Sequence, residues 1–335
     1  MQLIDRLKRL EQLKLLADER RMKILRLLMA SPASLTQLAG RLAQSPAWVR
    51  HHVQKLASAG LIELVEVKVT RGVTEKFYRA RSAGFLIQQM LLPDSDHPIL
   101  VLSGSHDLAL ELLAENVHPH LDVLSMPIGS LDGLAVLRQG LSHISGVHLF
   151  DASGEYNTPY IRYFFPDRRM QVLTLAYREQ GLMVAPGNPK GIRSLADLGR
   201  EDVTFVNRNR GSGTRLWLDD QLKRLGIDAG QIRGYQREVF THTEAAKAVL
   251  RGEAHTGLGL RAAACRQGLD FVALFQERYD LVVPDEQIVE IGFAPLFNQL
   301  QSRKFRQEAK ALGGYDMSHT GERQLYNSIQ IQKEK

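Results

Sequence analysis

Cysteine is almost absent: Cys265 is the only one in 335 residues. That excludes an internal disulfide framework and any metal site built from several thiolates. In "RAAACRQGLD" it reads as buried filler on a helix among alanines. No apolar run approaches the ~18–20 residues that span a bilayer. The opening "MQLIDRLKRLEQLKLL" alternates charge and leucine and holds no apolar signal-peptide core. These absences lead us to expect a cytoplasmic protein with no membrane partner. Spaced metal motifs such as HExxH are missing too, so no metal site is expected.

What is present fits a folded chain of two or three domains. Apolar residues make up 44% and charged residues 24%. The net charge of +6 is unevenly placed: residues 1–95 carry a balance of +8 and the remainder −2. A basic first quarter joined to a near-neutral body is the electrostatic footprint of a nucleic-acid-binding module.

Apolar spacing in residues 1–90 predicts four helices. They lie over "IDRLKRLEQLKLL", "ERRMKILRLLMA", "SLTQLAGRLA" and "SPAWVRHHVQKLASAG". Ser34 and Ser45 are placed as N-caps, with Pro46 at a first helical position. "LIELVEVKVTRGVTEKFYRA" then alternates around Arg71-Gly72 as a two-stranded ribbon does. Helix, turn, helix and basic hairpin make an α+β winged helix-turn-helix. From "LADERRMK" to "EKFYRA" the stretch resembles the ArsR-like winged-helix repressors. His51 and His52 are adjacent and cannot share a helix face, so no metal sensing is expected here. Off the apolar stripe of the recognition helix lie Ser45, Trp48, Arg50, His51, Gln54 and Lys55. Arg50 or Gln54 suits bidentate base contacts, and Lys55 suits phosphate. Lys68, Arg71 and Lys76 on the wing would hold the flanking backbone of double-stranded DNA. Such modules usually dimerise on palindromic sites, and helices at 3–16 and 82–92 are the candidate homodimer contact.

"LLPDSDHP" at 91–98 has linker composition. From Ile99 the pattern becomes strand, turn, helix, strand, repeated several times, as in an α/β domain with a mostly parallel sheet. "AVLRQGLSHISG" and "AVLRGEAHTGLG" form a faint internal echo. Residues 100–290 resemble a type II periplasmic-binding-protein-like domain, through "NPKGIRSLADL", "VTFVNRNRGSGTR" and "GYQREVFTHTEAAKAVLRGEAHTGLGL". The branch concerned is also attached to molybdopterin-biosynthesis proteins. The resemblance implies two lobes, about 99–182 plus 281–335 and about 183–280, with hinge crossings at "EQGLMVA" and "RYDLVVP".

In that superfamily, phosphate and tungstate binders carry a Ser-Gly-Thr turn that opens a helix after an arginine. Arg208, Arg210, Ser212, Gly213 and Thr214 match it. The chemistry is sound in itself, because a helix N-terminus offers free N–H groups and partial positive charge. Arg208 or Arg215 can add bidentate bonds. Ser103 and Ser105, Gly129 and Ser130, and His242 and Thr243 stand at comparable strand-to-helix turns. His148, Tyr156 and Arg178 leave room for an organic ligand. The turn lacks the lysine of a phosphate-binding GxxxxGK[ST] loop, the third glycine of GxGxxG and the GxSxG nucleophile pattern. We therefore expect no catalytic residues and no cofactor.

The expectation is a one-component transcriptional regulator sensing a small anion, with molybdate or tungstate favoured. Two alternatives stand beside it. One is a molybdenum-cofactor-pathway protein or enzyme that binds a pterin or organic anion. The other is a ligand-independent DNA-binding dimer.

Overall fold

In the computed structural model, which describes residues 2–7, 9–70, 73–87, 90–151, 154–287, 292 and 294–327, the chain divides into two units, Met1–Leu92 and Pro93–Lys335. Capping chemistry sets the helix starts of the first. Helices α1 (Leu10–Leu16), α2 (Glu19–Ala30), α3 (Leu35–Leu42) and α4 (Pro46–Ser58) follow one another. Asp18 caps α2, Ser34 and Gln37 form a capping box on α3, and Ser45 caps α4 ahead of Pro46. Ile24, Leu28, Leu38, Val49, Val53 and Leu56 close one core. Each such side chain contributes roughly 1.5–3 kcal/mol by leaving water.

Strand β1 (Gln2–Leu7) comes first in the chain, and β2 (Ala33–Ser34), β3 (Ile62–Thr70) and β4 (Val73–Ala80) make a sheet in the order β2-β4-β3. This is the winged helix. The expected helix over 3–16 is a strand followed by the short α1. The expected helix at 82–92 is strand β5 (Ser82–Ile87), which pairs in parallel with β1. Leu7 is buried in the core through that pairing, and Gly84 weakens any helix there. Tertiary pairing overrides the leucine spacing, so the dimer contact imagined on those two helices loses its helical form.

The second unit alternates as expected. Its elements are β6 (Ile99–Gly104), α5 (Leu108–Val117), β7 (Asp122–Pro127), α6 (Ser130–Gln139), β8 (Ile144–Val147), α7 (Thr158–Phe164), β9 (Arg169–Val184), β10 (Phe205–Arg208), α8 (Gly213–Arg224), β11 (Glu238–Val239), α9 (His242–Leu250), β12 (Thr256–Leu260), α10 (Arg261–Arg266) and β13 (Asp270–Pro284). They build one sheet, ordered β11-β10-β12-β9-β13-β8-β6-β7, with two short C-terminal strands also on β9. Parallel pairs occur at the two ends, β11-β10-β12 and β8-β6-β7. Between them the long β9 and β13 run antiparallel. The sheet is therefore two parallel blocks joined by a central antiparallel pair, rather than mostly parallel throughout.

The internal echo has a physical basis. His143 Nδ1 accepts from the Val101 N–H at 2.9 Å, and His255 Nδ1 accepts from the Thr204 N–H at 3.0 Å. Each histidine closes a helix-to-strand turn onto the neighbouring strand of its own block. Cys265 is exposed at the end of α10, not buried, because Ala262, Ala263 and Ala264 already occupy the packed face.

Candidate functional site

The register of β9 and β13 sets Arg178 directly opposite Glu277. Arg178 is 0% exposed. Its Nε donates to Glu277 Oε1 at 2.7 Å and its Nη1 to Asp107 Oδ2 at 2.6 Å. The guanidinium lies 4.3 Å from the centre of the Tyr279 ring. Asp107 works twice: Oδ1 caps α5 by accepting from Leu110 N, and Oδ2 also accepts from the Tyr315 hydroxyl at 2.8 Å. Glu277 meets His148 Nδ1 at 2.8 Å, and Gln180 Nε2 donates to it at 2.6 Å. Burial works to raise the Glu277 carboxyl, but Arg178 and then His148 outweigh it and hold the group down to about 2. Burial lowers the pKa of His148 despite Glu277. A neutral His148 donates from Nδ1 to the carboxylate, so its Nε2 accepts from Ser105 Oγ at 2.9 Å.

Arg208, at the end of β10, is as deeply buried and differently placed. Its Nη1 donates to His242 Nδ1 at 2.9 Å and its Nη2 to Phe240 O at 2.8 Å. Among the described residues no carboxylate pairs with it. Burial, with the nearby Arg178 charge, pushes it down to about 9. A guanidinium stays charged in proteins, so this displacement marks a buried cation short of a counter-charge. It also fixes the tautomer of His242. A guanidinium only donates, so His242 Nδ1 accepts. Burial lowers the pKa of His242 well below its ordinary value. The ring is thus neutral and its proton sits on Nε2.

That Nε2–H has no partner among the described residues. Neither have Arg178 Nη2, Arg208 Nε, Thr243 Oγ1, Gln180 Oε1 or His106 Nδ1. Unpaired buried polar groups are costly and rare, and here they gather around one locality. His106 comes from the turn after β6 and His242 from the start of α9, yet their ring centres are 6.1 Å apart. Next to them opens a cleft of about 810 Å³, which His106, Asp107, Thr243 and Lys247 line together with Leu110 and Val123.

The glycine-rich turn is placed otherwise. Ser212 Oγ caps α8 by accepting from Arg215 N at 3.2 Å. Thr214 Oγ1 accepts from Gln180 Nε2 at 3.0 Å. A Cβ on Gly213 would come within 2.6 Å of His148 Nδ1, so the helix start abuts that ring. Gly129, at φ 99°, leads into α6 against the same turn, and Leu131 N donates to Gly211 O at 3.2 Å. Ser130 Oγ accepts from His148 N. Ser103 Oγ meets Ser142 Oγ and donates to Gly133 O. Arg215 is held by Asp219 and Glu238 over the Tyr235 ring. Tyr156 donates to Gln276 O and lines a separate depression with Tyr177 and Arg278. Ser105, His148, Arg178, Arg208, Thr214, His242 and Thr243 are thus brought together, whereas Arg215 and Tyr156 stand apart.

Sequence reasoning missed His106, Asp107, Gln180 and Glu277. The signal was available. A strand that reads as continuously apolar should not carry Arg178 and Gln180 two residues apart on one face, nor Glu277 in its antiparallel partner.

In the first unit, Ser45, Arg50, His51, Gln54 and Lys55 are exposed along α4, and Trp48 is half-buried against His52. Arg50, Gln54 and Lys76 line one groove between α4 and β4. Lys68 is exposed, 3.3 Å from Glu66 Oε2 and over the Phe77 ring. Arg71 lies outside the described residues. Arg20, Lys23 and Arg41 border a second depression beside Trp48; no sequence motif marked them.

Residues 111–301 match the PBP superfamily domain, and residues 16–65 match a helix-turn-helix domain. YvgK, an uncharacterized protein of Bacillus subtilis (strain 168), is 34% identical over 236 residues, covering 68% of this chain and 74% of that protein. Among solved structures, the sulfate-binding protein SubI from Mycobacterium tuberculosis H37Rv is similar at 12% identity and a TM-score of 0.49, over 65% of this chain and 86% of that one. The tungstate ABC transporter from Geobacter sulfurreducens is similar at 13% identity and a TM-score of 0.47, over 64% and 98%.

Proposed function

We propose that this chain, which belongs to the PBP superfamily through its second unit, is a one-component transcriptional regulator whose winged helix binds double-stranded DNA and whose second unit senses a small anion. One observation carries the ligand reading. Arg208 is a fully buried cation without a carboxylate partner among the described residues, and its free Nε is joined by the free donors Arg178 Nη2 and His242 Nε2. A bound oxyanion satisfies all three donors and supplies the missing charge. Molybdate and tungstate are the inorganic candidates that the family resemblance suggests, although Ser212 and Thr214 of the Gly-Ser-Gly-Thr turn are already engaged in capping α8 and by Gln180. The donors come from the central strand β9 and from the β10 and α9 block, while His106 comes from the other block. An anion between them favours the closed arrangement. Closure acts on DNA binding only through the ligand's preference for one state, typically by about 1–3 kcal/mol.

The test is a thermal-shift screen of molybdate, tungstate, sulfate, phosphate and small organic acids on the full chain and on Arg208→Gln. Stabilisation of the wild type that the variant loses is expected. A screen in which nothing stabilises the wild type would leave a ligand-independent DNA-binding protein as the better reading. Gel-shift titration against genomic fragments, with and without the best anion, tests the regulator half.

A further inference from the structure

We infer that the ligand is an organic anion: an oxyanion head group, carboxylate or phosphate ester, carried on an apolar body that lies in the adjoining cleft. This rests on the reading of the buried donors as an anion site. The cleft is too large for a head group alone. At about 810 Å³ it falls in the ~300–1,000 Å³ range of pockets that enclose organic ligands. A tetrahedral oxyanion is the size of a few waters, each about 30 Å³.

The lining is divided by chemistry. Leu102, Leu110, Ala114, Val123 and Pro127 form an apolar wall. A bare oxyanion gains nothing from such a wall, whereas a hydrocarbon body gains in proportion to the area it covers. Unsatisfied polar atoms line it as well. His106 Nδ1 and Thr243 Oγ1 both belong to residues that line the cleft, and both are buried without a partner among the described residues. The His106 side chain is only 9% exposed, with its other nitrogen taken by Glu111.

The acids of the cleft are already engaged and leave Lys247 to a ligand. Asp107 holds Arg178, Glu111 holds His106 and Arg266, and Glu244 accepts from the N–H groups of Phe240 and Thr241. Lys247, on the outward side of α9, forms no ion pair among the described residues. It offers a second cation to a ligand that extends beyond the head group. Unsatisfied polar groups, an apolar wall and an exposed lysine are the complement of an amphipathic organic acid.

Matched probes separate head from body. Inorganic phosphate and phenyl phosphate share a head group, and benzoate tests the carboxylate form. Calorimetric titration of the full chain should give phenyl phosphate or benzoate roughly tenfold or more over inorganic phosphate, the discrimination that apolar pockets achieve. Ala114→Phe fills the cleft and should bring that ratio close to one without weakening inorganic phosphate. Should the larger side chain disturb folding, Val123→Thr keeps shape and volume and should lower the ratio several-fold. Arg208→Gln should abolish binding of every probe. If phosphate, molybdate or tungstate binds the wild type as tightly as the organic probes, and the two wall variants change nothing, the organic body is refuted while the anion site stands. If no probe binds the wild type, the anion site itself falls, and this inference with it.

Discussion

Two arginines are buried to the same depth in the same site, and their removal should have opposite consequences. Arg208 is pushed from its ordinary value down to about 9. At about 1.4 kcal/mol per unit, that is on the order of 5 kcal/mol of unrelieved cost to its charge in the ligand-free protein. Arg208→Met removes that cost and keeps most of the volume. It leaves His242 Nδ1 and Phe240 O without their donor, at about 1–3 kcal/mol each. The two effects nearly offset, so the ligand-free variant should melt within a few degrees of the wild type. Arg178→Met is different, because it leaves the Asp107 and Glu277 carboxylates buried without their cation. Breaking a buried pair from one side costs roughly 3–5 kcal/mol. With about 2–4 °C per kcal/mol for a unit of this size, its melting temperature should fall by about 10 °C. Differential scanning calorimetry in buffer free of phosphate and sulfate makes the comparison. A fall for Arg208→Met as large as that for Arg178→Met would show that Arg208 is a satisfied structural ion, and the case for an anion would collapse.

Acid should unfold the second unit in two stages. Burial lowers the pKa of His148 and of His242, so their contribution is full above the ordinary 6.5 and declines as pH falls through it. Glu277 is held near 2 against an ordinary 4.5, so its contribution is full above about 4.5 and lost as pH drops towards 2. Urea midpoints measured from pH 8 to 3 should show both limbs, and Glu277→Gln should flatten the lower one; an unchanged lower limb would refute the role of Glu277. Gly213→Ala drives a methyl group into His148 and should cost about 1–3 kcal/mol by overpacking; a melting temperature equal to the wild type would place the α8 start further from that ring. On DNA, Arg50→Ala should cost about 1–3 kcal/mol at one base position, whereas Lys76→Ala should weaken all sequences alike and reduce the salt slope by about 1. Binding isotherms across salt concentrations distinguish these outcomes, and equal losses on specific and random DNA for Arg50→Ala would remove it from base recognition.

The helix-turn-helix core was legible because its signals are local. Ser34, Ser45 and Pro46 act within three residues of themselves, and the apolar stripe of α4 needs only its own sequence. The strands β1 and β5 were not legible, because each exists only by pairing with the other across most of the first unit. Leucines at 7, 10 and 13 fit a helix as well as a strand followed by a helix. Leu7 is settled by its burial in a core that the local spacing does not reveal.

The glycine-rich turn shows the same limit within the site. Its glycines, hydroxyls and arginines were read as ligand groups because each has the right chemistry, but chemistry does not say which groups are already satisfied. Ser212 closes its own helix, Thr214 accepts a hydrogen bond from Gln180, and Arg215 is neutralised by Asp219 and Glu238. What lacks a counter-charge among the described residues is Arg208, whose acceptors, Phe240 O just before α9 and His242 Nδ1 on it, are neutral. The acids that position Arg178 lie 71 and 99 residues away in sequence, beyond any motif. Residue types suggested an anion, and only the pairing of the buried donors moves the proposed head group from the turn to the space between Arg178, Arg208 and His242. A variant that removes Ser212 Oγ should therefore loosen the start of α8 and leave anion affinity largely intact, whereas loss of Arg208 should remove the affinity and spare the helix.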